Sequence, residues 1–298
     1  MYADAMQQIV TIITPTFFTI ALGYLFGRLS RSSSAVLVDA AMYIAVPCLV
    51  FTSMLSSPIV VHEAARIWAS CLLIMAGTFL VARFVFAFGR TKHSALYLPI
   101  VFGNAVNIPF PIIFMAFGAE GLASAVLYYM PNGILIYSLG IYIAAGNSGL
   151  RQGLKTTVRI PLVYAALLGL ALNLAGVTLP TLMMNPLKLL GQAAIPLVLL
   201  VLGMNLCRIR PSHLSLTLMA SVLRVGGGFA FGLLAVSLLG LTGIPRAVVI
   251  LESAMPSAVF TALAATKYKN EAELVSSVVL VTTLASVVVI PVLLYYLT

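Results

Sequence analysis

Three observations on this 298-residue chain predict one intertwined all-α polytopic membrane domain, built from two inverted five-helix repeats. The composition is 62% hydrophobic and only 8% charged, with mean hydropathy +1.13. Apolar runs of membrane-spanning length follow one another with short connections, and the prolines and glycines of the first half recur in order in the second.

A soluble domain carries about a quarter charged residues, so lipid is the main solvent of this chain. Lipid makes unpaired backbone groups expensive, and unbroken apolar runs specify helices, whereas barrel strands alternate. Runs of about 20 apolar residues place ten spans at 8–29, 35–57, 64–89, 94–117, 119–145, 159–176, 186–207, 213–239, 243–266 and 271–297. No basic region precedes the first span, and Arg28 and Arg31 follow it, so it reads as a retained helix with an outside N-terminus. Inside loops then hold Arg28, Arg31, Arg90, Lys92, Arg151, Lys155, Arg159, Arg208, Arg210, Lys267 and Lys269, against Arg66, Lys188 and Arg246 outside. That asymmetry favours an even span count with both termini outside, as expected for a plasma or bacterial inner membrane. The net charge of +9 is mostly topological; scattered over several loops, it forms no stripe for nucleic acid.

Four matches define the repeat, residues 1–150 and 151–298. Pro15 and Leu22-Gly23 correspond to Pro161 and Leu168-Gly169; "AVPCLV" around Pro47 corresponds to "AIPLVL" around Pro196. The proline cluster at Pro109 and Pro111 corresponds to "ESAMPSAV" at Pro256, and "EGLASAVL" from Glu120 to "ELVSSVVL" from Glu273. The offsets run from 146 to 153 positions. Five spans per half is an odd number, so the second half crosses the membrane upside down, as in many secondary transporters.

The stretch "GNAVNIPFPIIF" from Gly103 places Asn104, Asn107, Pro109 and Pro111 inside an otherwise apolar span. Proline removes a backbone donor and asparagine competes for backbone partners, so the fourth span breaks here. The ninth breaks at Met255, Pro256 and Ser257. Two such helices crossing at mid-membrane would aim their half-helix ends at one site: positive ends at an anionic substrate, freed carbonyls at a cation. The bland alternative is a pair of simple proline kinks.

The chain resembles the auxin efflux carrier family of membrane permeases over its whole length, most densely in "NAVNIPFPIIFMAFGAEGLASAVLYYMPNGILIYSLG" and "MPSAVFTALAATKYKNEAELVSSVVLVTTLASVVVIPVLL". The family motif N-x-G-N-L-G-L-P maps onto Asn104, Asn107 and Pro111, with Val106 and Pro109 standing where glycines are usual. The resemblance implies the fold shared by bile-acid symporters and sodium/proton antiporters, and carriage of organic acids.

Among the seven acidic residues, only Glu252 lies deep in a span, one turn before Pro256. A lone mid-membrane carboxylate must be protonated, paired or bound to a cation. Glu252, with Ser253 beside it, is therefore the expected coupling site, for a proton or for sodium; a hydrogen-bonded strut is the alternative. Arg224, deep in the eighth span, could clamp a substrate carboxylate bidentately or pair with Glu252. Asn132 after Pro131 could line the cavity. Cys48, Cys71 and Cys207 form no C-x-x-C pair, and His62, His93 and His213 lie on both sides of the membrane, so no metal site or cofactor is expected.

The function expected from these residues is secondary active transport of a small organic anion, with spans 1, 2, 6 and 7 moving against spans 3–5 and 8–10 and Pro47 and Pro196 shaping the facing wall. A channel or uncoupled facilitator is the alternative, though no filter motif is present. An intramembrane enzyme is the third class; it would need a nucleophile motif or H-E-x-x-H, and neither occurs. The expected partners are the anion, the lipid bilayer and, where the reading stays open, a second copy in a homodimer.

Overall fold

The computed structural model describes residues 2–30, 33–57, 59–88, 93–145 and 161–298. Among them every regular element is helical, and the only strand-like feature is an isolated antiparallel bridge between Gly103 and Ser257. Arg31, Arg90, Lys92, Arg151, Lys155 and Arg159, which carry much of the expected orientation signal, lie outside the described residues.

Helix α1 is Tyr2–Ser30. Next come α2 (Ala35–Ala40), a π-helical turn (Ala41–Ala45) and α3 (Val46–Ser56), then α4 (Val61–Phe88). The short α5 (Tyr97–Val101) is followed by irregular backbone, α6 (Pro109–Leu135), a second π turn (Ile136–Gly140) and α7 (Ile141–Ala144). The second half runs through α8 (Pro161–Leu174), α9 (Thr181–Gln192), α10 (Ala194–Leu206) and α11 (Leu214–Val222). A third π turn (Leu223–Gly227) leads into α12 (Gly228–Leu238), α13 (Gly243–Ser253), α14 (Val259–Lys267) and α15 (Ala272–Leu297). Among the described residues seven helical stretches are long and apolar enough to cross a membrane, and Pro161–Leu174 is a shorter apolar helix.

The departures from the expected spans have local causes. The span expected at 94–117 stops at Val101 and resumes at Pro109, which takes the first turn of the new helix, where its missing N–H has no intrahelical acceptor to lose. The new helix continues through the expected boundary at 117–119, kinking at Gly118, whose φ of 65° and ψ of −156° only glycine adopts readily. Pro47 and Pro196 both sit in the first turns of restarted helices, α3 after its π turn and α10 after the break at Ala193. In that position their missing N–H groups cost nothing.

Glycines fix which helices touch most closely. A Cβ at Gly23 or Gly203 would collide with the backbone oxygen of Leu200 or Ile20, so α1 and α10 meet backbone to backbone. Gly169 seats α8 against Phe51 of α3, and Gly191 seats α9 against Leu49. A second set joins α4 to α12 (Gly77 to Phe231) and α12 to α13 (Gly228 and Gly232 to Ser253).

Candidate functional site

The two interruptions, residues 102–108 and 254–258, lie side by side and run antiparallel. Asn104 N donates to Pro256 O at 2.7 Å and Ala258 N to Phe102 O at 3.0 Å. Each break thus supplies the backbone partners that the other lost on leaving its helix. Phe102, Met255 and Ser257 are fully buried, as irregular backbone must be at membrane depth. Ser257 completes the join: its Oγ donates to Pro99 O at 2.7 Å, and its N–H donates to Thr282 Oγ1 of α15 at 3.1 Å.

The antiparallel join places helix ends of like polarity together. On one face, α5 ends at Val101 and α13 at Ser253, and both C-termini meet Arg224 on the third π turn. Its guanidinium donates to Ile100 O (3.2 Å), Val101 O (3.1 Å) and Ser253 O (2.5 Å). Arg224 is only 2% exposed, and Gly103 lies flat against the guanidinium, where a Cβ would stand 3.2 Å from Cζ. Ser253 Oγ turns back to Ile250 O at 2.7 Å.

On the other face the breaks border a cavity of about 150 Å³. Asn104, Asn107 and Asn132 line it, as do Gly103 and the start of α14 from Ala258 to Phe260. The opposing wall comes from α2, its π turn and α10, through Val38, Ala41, Met42, Val198, Val201 and Asn205. Pro47 and Pro196, expected to shape that wall, contribute nothing to the lining themselves. Two of the three π turns border the cavity, through Ala41 and Met42 and through Ile136 and Tyr137, and the third carries Arg224. Local π geometry of this kind often marks functional sites.

Asn104 organises the first break. Its Oδ1 accepts from Asn107 N at 2.9 Å and from Val106 N at 3.5 Å, while its Nδ2 is buried with no hydrogen-bond partner among the described residues. The Tyr129 hydroxyl, on the same cavity, is likewise buried and unpartnered. At the start of α14, Thr261 N bonds Ala258 O, and the first-turn amides of Val259 and Phe260 have no intrahelical acceptor. The start of α6 offers less, because Pro109 and Pro111 carry no N–H and Phe110 N bonds Val106 O. Asn205 accepts from Ser34 Oγ at 2.9 Å, and the rings of Tyr137 and Phe260 meet edge to face with centroids 4.5 Å apart.

The remaining expected residues lie off the cavity. Pro109, Pro111, Met255, Pro256 and Ser257 shape the breaks without lining it, and Arg224 faces carbonyls. Glu252, 2% exposed at the end of α13, has both oxygens buried without a hydrogen-bond partner among the described residues, and no ion pair joins it to Arg224. Cys71, Tyr128 and Arg224 lie within electrostatic reach of it. Among the described residues no three His, Cys, Asp or Glu side chains converge as a metal-binding group.

A known family matches the sequence. The family described as membrane transport protein matches the chain twice, over residues 8–153 and 149–294. The chain belongs to this auxin efflux carrier-like transport family. Each match covers about one half of the chain, which fits a repeat of two halves. Similar proteins include an uncharacterized transporter of Methanocaldococcus jannaschii, 26% identical over 297 residues that cover 94% of this chain and 96% of the relative. Another is an uncharacterized transporter of Methanothermobacter thermautotrophicus, 29% identical over 288 residues that cover 91% and 93%.

Asn205, Tyr137 and Phe260 are among the lining residues that sequence reasoning missed. Asn205 carried a signal: it is the one amide side chain in the otherwise apolar α10. The two rings carried none, since an aromatic on a membrane helix reads equally as core or lipid-facing.

Proposed function

We propose that the chain is a secondary carrier that moves a small organic anion, a carboxylate with an apolar body, through the cavity beside the paired breaks. One observation carries this reading: Asn104 Nδ2 and the Tyr129 hydroxyl are buried without partners among the described residues, and both residues line a cavity that the positive end of α14 also borders. Buried donors are almost always satisfied, so two left open around one cavity are reserved for a ligand. Helix N-termini and neutral amides favour an anion, and the largely aliphatic and aromatic wall favours an apolar body behind its carboxylate.

Counting α5 with the first part of α6, and α13 with α14, as one broken span each, and dividing α6 at Gly118, brings the crossings to ten. Both termini are then outside. Val38, Asn205 and Leu263 lie near the helix ends that neighbour Arg28, Arg208 and Lys267, so the cavity opens inward by the positive-inside rule. The close glycine contacts support two bodies in relative motion. They pair α1 with α10, α3 with α8 and α9, and α4 with α12 and α13, and none bridges the first two groups to the third; α9 runs on into α10 at Ala193. The cavity is lined by α2, its π turn and α10 on one wall and by the first break, α6 and α14 on the other, so sliding one wall past the other exposes it to each side in turn. Glu252, buried near the crossing and without a hydrogen-bond partner among the described residues, serves as the coupling group by exchanging a proton.

Purified protein in liposomes, offered mono- and dicarboxylates under separate sodium and pH gradients, tests the reading. Saturable uptake of an apolar monocarboxylate is expected, and Glu252→Gln should retain exchange while losing gradient-driven accumulation. No uptake of any carboxylate, or ohmic conductance in its place, would overturn the carrier.

A further inference from the structure

We propose that Arg224 is the resident cation of the crossing, a fixed guanidinium filling the place at two helix C-termini that a bound sodium ion would otherwise take, so that transport needs no sodium there. The inference rests on the carrier reading above and names a part of its machinery that no family description assigns. Helices α5 and α13 end at one point, and their last carbonyls have no intrahelical donors. Each C-terminus carries up to about half a negative charge, so the pair presents about one. In transporters with broken helices, such freed carbonyls are where a coupling cation is coordinated.

Here the oxygens are already taken, by donors from both guanidinium nitrogens Nη1 and Nη2 to Ile100, Val101 and Ser253. The slot is cut for a planar group: Gly103 lies on one side, and a Cβ on Gly228 would stand 2.8 Å from Nη2. Lysine, a point charge on a flexible stem, does not reproduce that fork. A metal ion at the same carbonyls would sit at hydrogen-bond distance from a full positive charge in a low-dielectric interior, where repulsion is strong. Arg224 also lies off the cavity and makes no ion pair with Glu252, so neither substrate nor coupling group competes for it. It is a positioning residue, holding the two breaks in register so that Asn104 and the start of α14 face one cavity.

The test compares wild type, Arg224→Gln and Arg224→Lys, in sodium, choline or millimolar guanidinium buffers, by thermal unfolding of purified protein and by carboxylate uptake in liposomes. Wild-type uptake is expected to be the same in sodium and choline. Arg224→Gln should lower the unfolding temperature and slow uptake about tenfold or more, and guanidinium should restore part of both. Arg224→Lys should fall between the two and stay indifferent to sodium. Wild-type uptake that requires sodium overturns the proposal, as does a Gln variant equal to wild type, or one that no small cation restores. If Arg224→Gln does not fold, the sodium arm on wild type and Arg224→Lys decides by the same criteria. If wild type moves no carboxylate at all, the carrier reading fails, and the unfolding arm still judges Arg224: guanidinium restoring the Gln variant supports it, and no restoration overturns it.

Discussion

The two faces of the paired breaks are built from the same backbone yet treated in opposite ways. On the face where α5 and α13 end, three carbonyls receive the donors of Arg224, and Ser253 and Ser257 hydroxyls are also satisfied. On the face where α6 and α14 begin, Asn104 and Tyr129 line a cavity and each carries a buried polar atom without a partner among the described residues, and the first-turn amides of Val259 and Phe260 have no intrahelical acceptor. A break in a membrane helix creates both kinds of loose end, and leaving either unsatisfied is costly. The difference fits the proposed carrier: on one face the chain's own guanidinium takes the freed carbonyls, although Arg224 Nε and the Glu252 oxygens there have no partner among the described residues, and the other face is where the proposal seats a visiting charge.

The comparison breaks most visibly at Asn104. Asn104→Asp keeps the acceptor that holds Asn107 N and replaces the open donor with a negative charge, so carboxylate affinity should fall by about 1.5–3 kcal/mol, roughly tenfold to a hundredfold. Counterflow in liposomes reads this directly, and unchanged affinity would remove Asn104 from the site. On the sealed face, Gly228→Ala pushes a methyl between Ser253 O and the Arg224 guanidinium. It should cost about 1–3 kcal/mol of stability by overpacking, seen as a lower unfolding temperature, with substrate affinity of the folded protein retained. Tyr129→Phe removes only the open hydroxyl: affinity should drop up to about tenfold, while the unfolding temperature holds or rises because an unsatisfied buried group is gone. The smallest change is expected at Asn107, whose backbone N–H is already engaged by Asn104. Asn107→Ala should weaken binding by about 1 kcal/mol, a few-fold. An effect there larger than that of Asn104→Asp would reverse the assignment of the two asparagines.

The breaks themselves were legible because proline and asparagine are rare and costly in an apolar helix, so "NAVNIPFP" and "AMPS" stand out against their surroundings. The repeat was legible for the same reason, with Pro47 and Pro196 recurring at matched places and both restarting helices. Arg224 was visible as a buried charge, but its partners were not. A carbonyl belongs to every residue, and no sequence pattern says that those of Ile100, Val101 and Ser253 converge from chain positions far apart. The cavity's facing wall was hidden too: Val38, Val198 and Val201 read as ordinary lipid or core positions, and only the antiparallel pairing of the breaks fixes which helix they oppose. The boundary expected between 117 and 119 falls on Gly118, where the helix does not end but kinks through a positive φ.

Whether the open face receives the substrate is tested most directly by protection of a cavity cysteine. With the three native cysteines replaced, Val201→Cys places a thiol on the wall opposite Asn104, and Val222→Cys places a control on an exposed position of α11. A membrane-permeant thiol reagent applied to liposomes should label both. A transported carboxylate should slow labelling at 201 in proportion to its occupancy and leave 222 unchanged. Labelling at 201 that no transported carboxylate slows, in protein that still carries it, would contradict a binding site at this cavity.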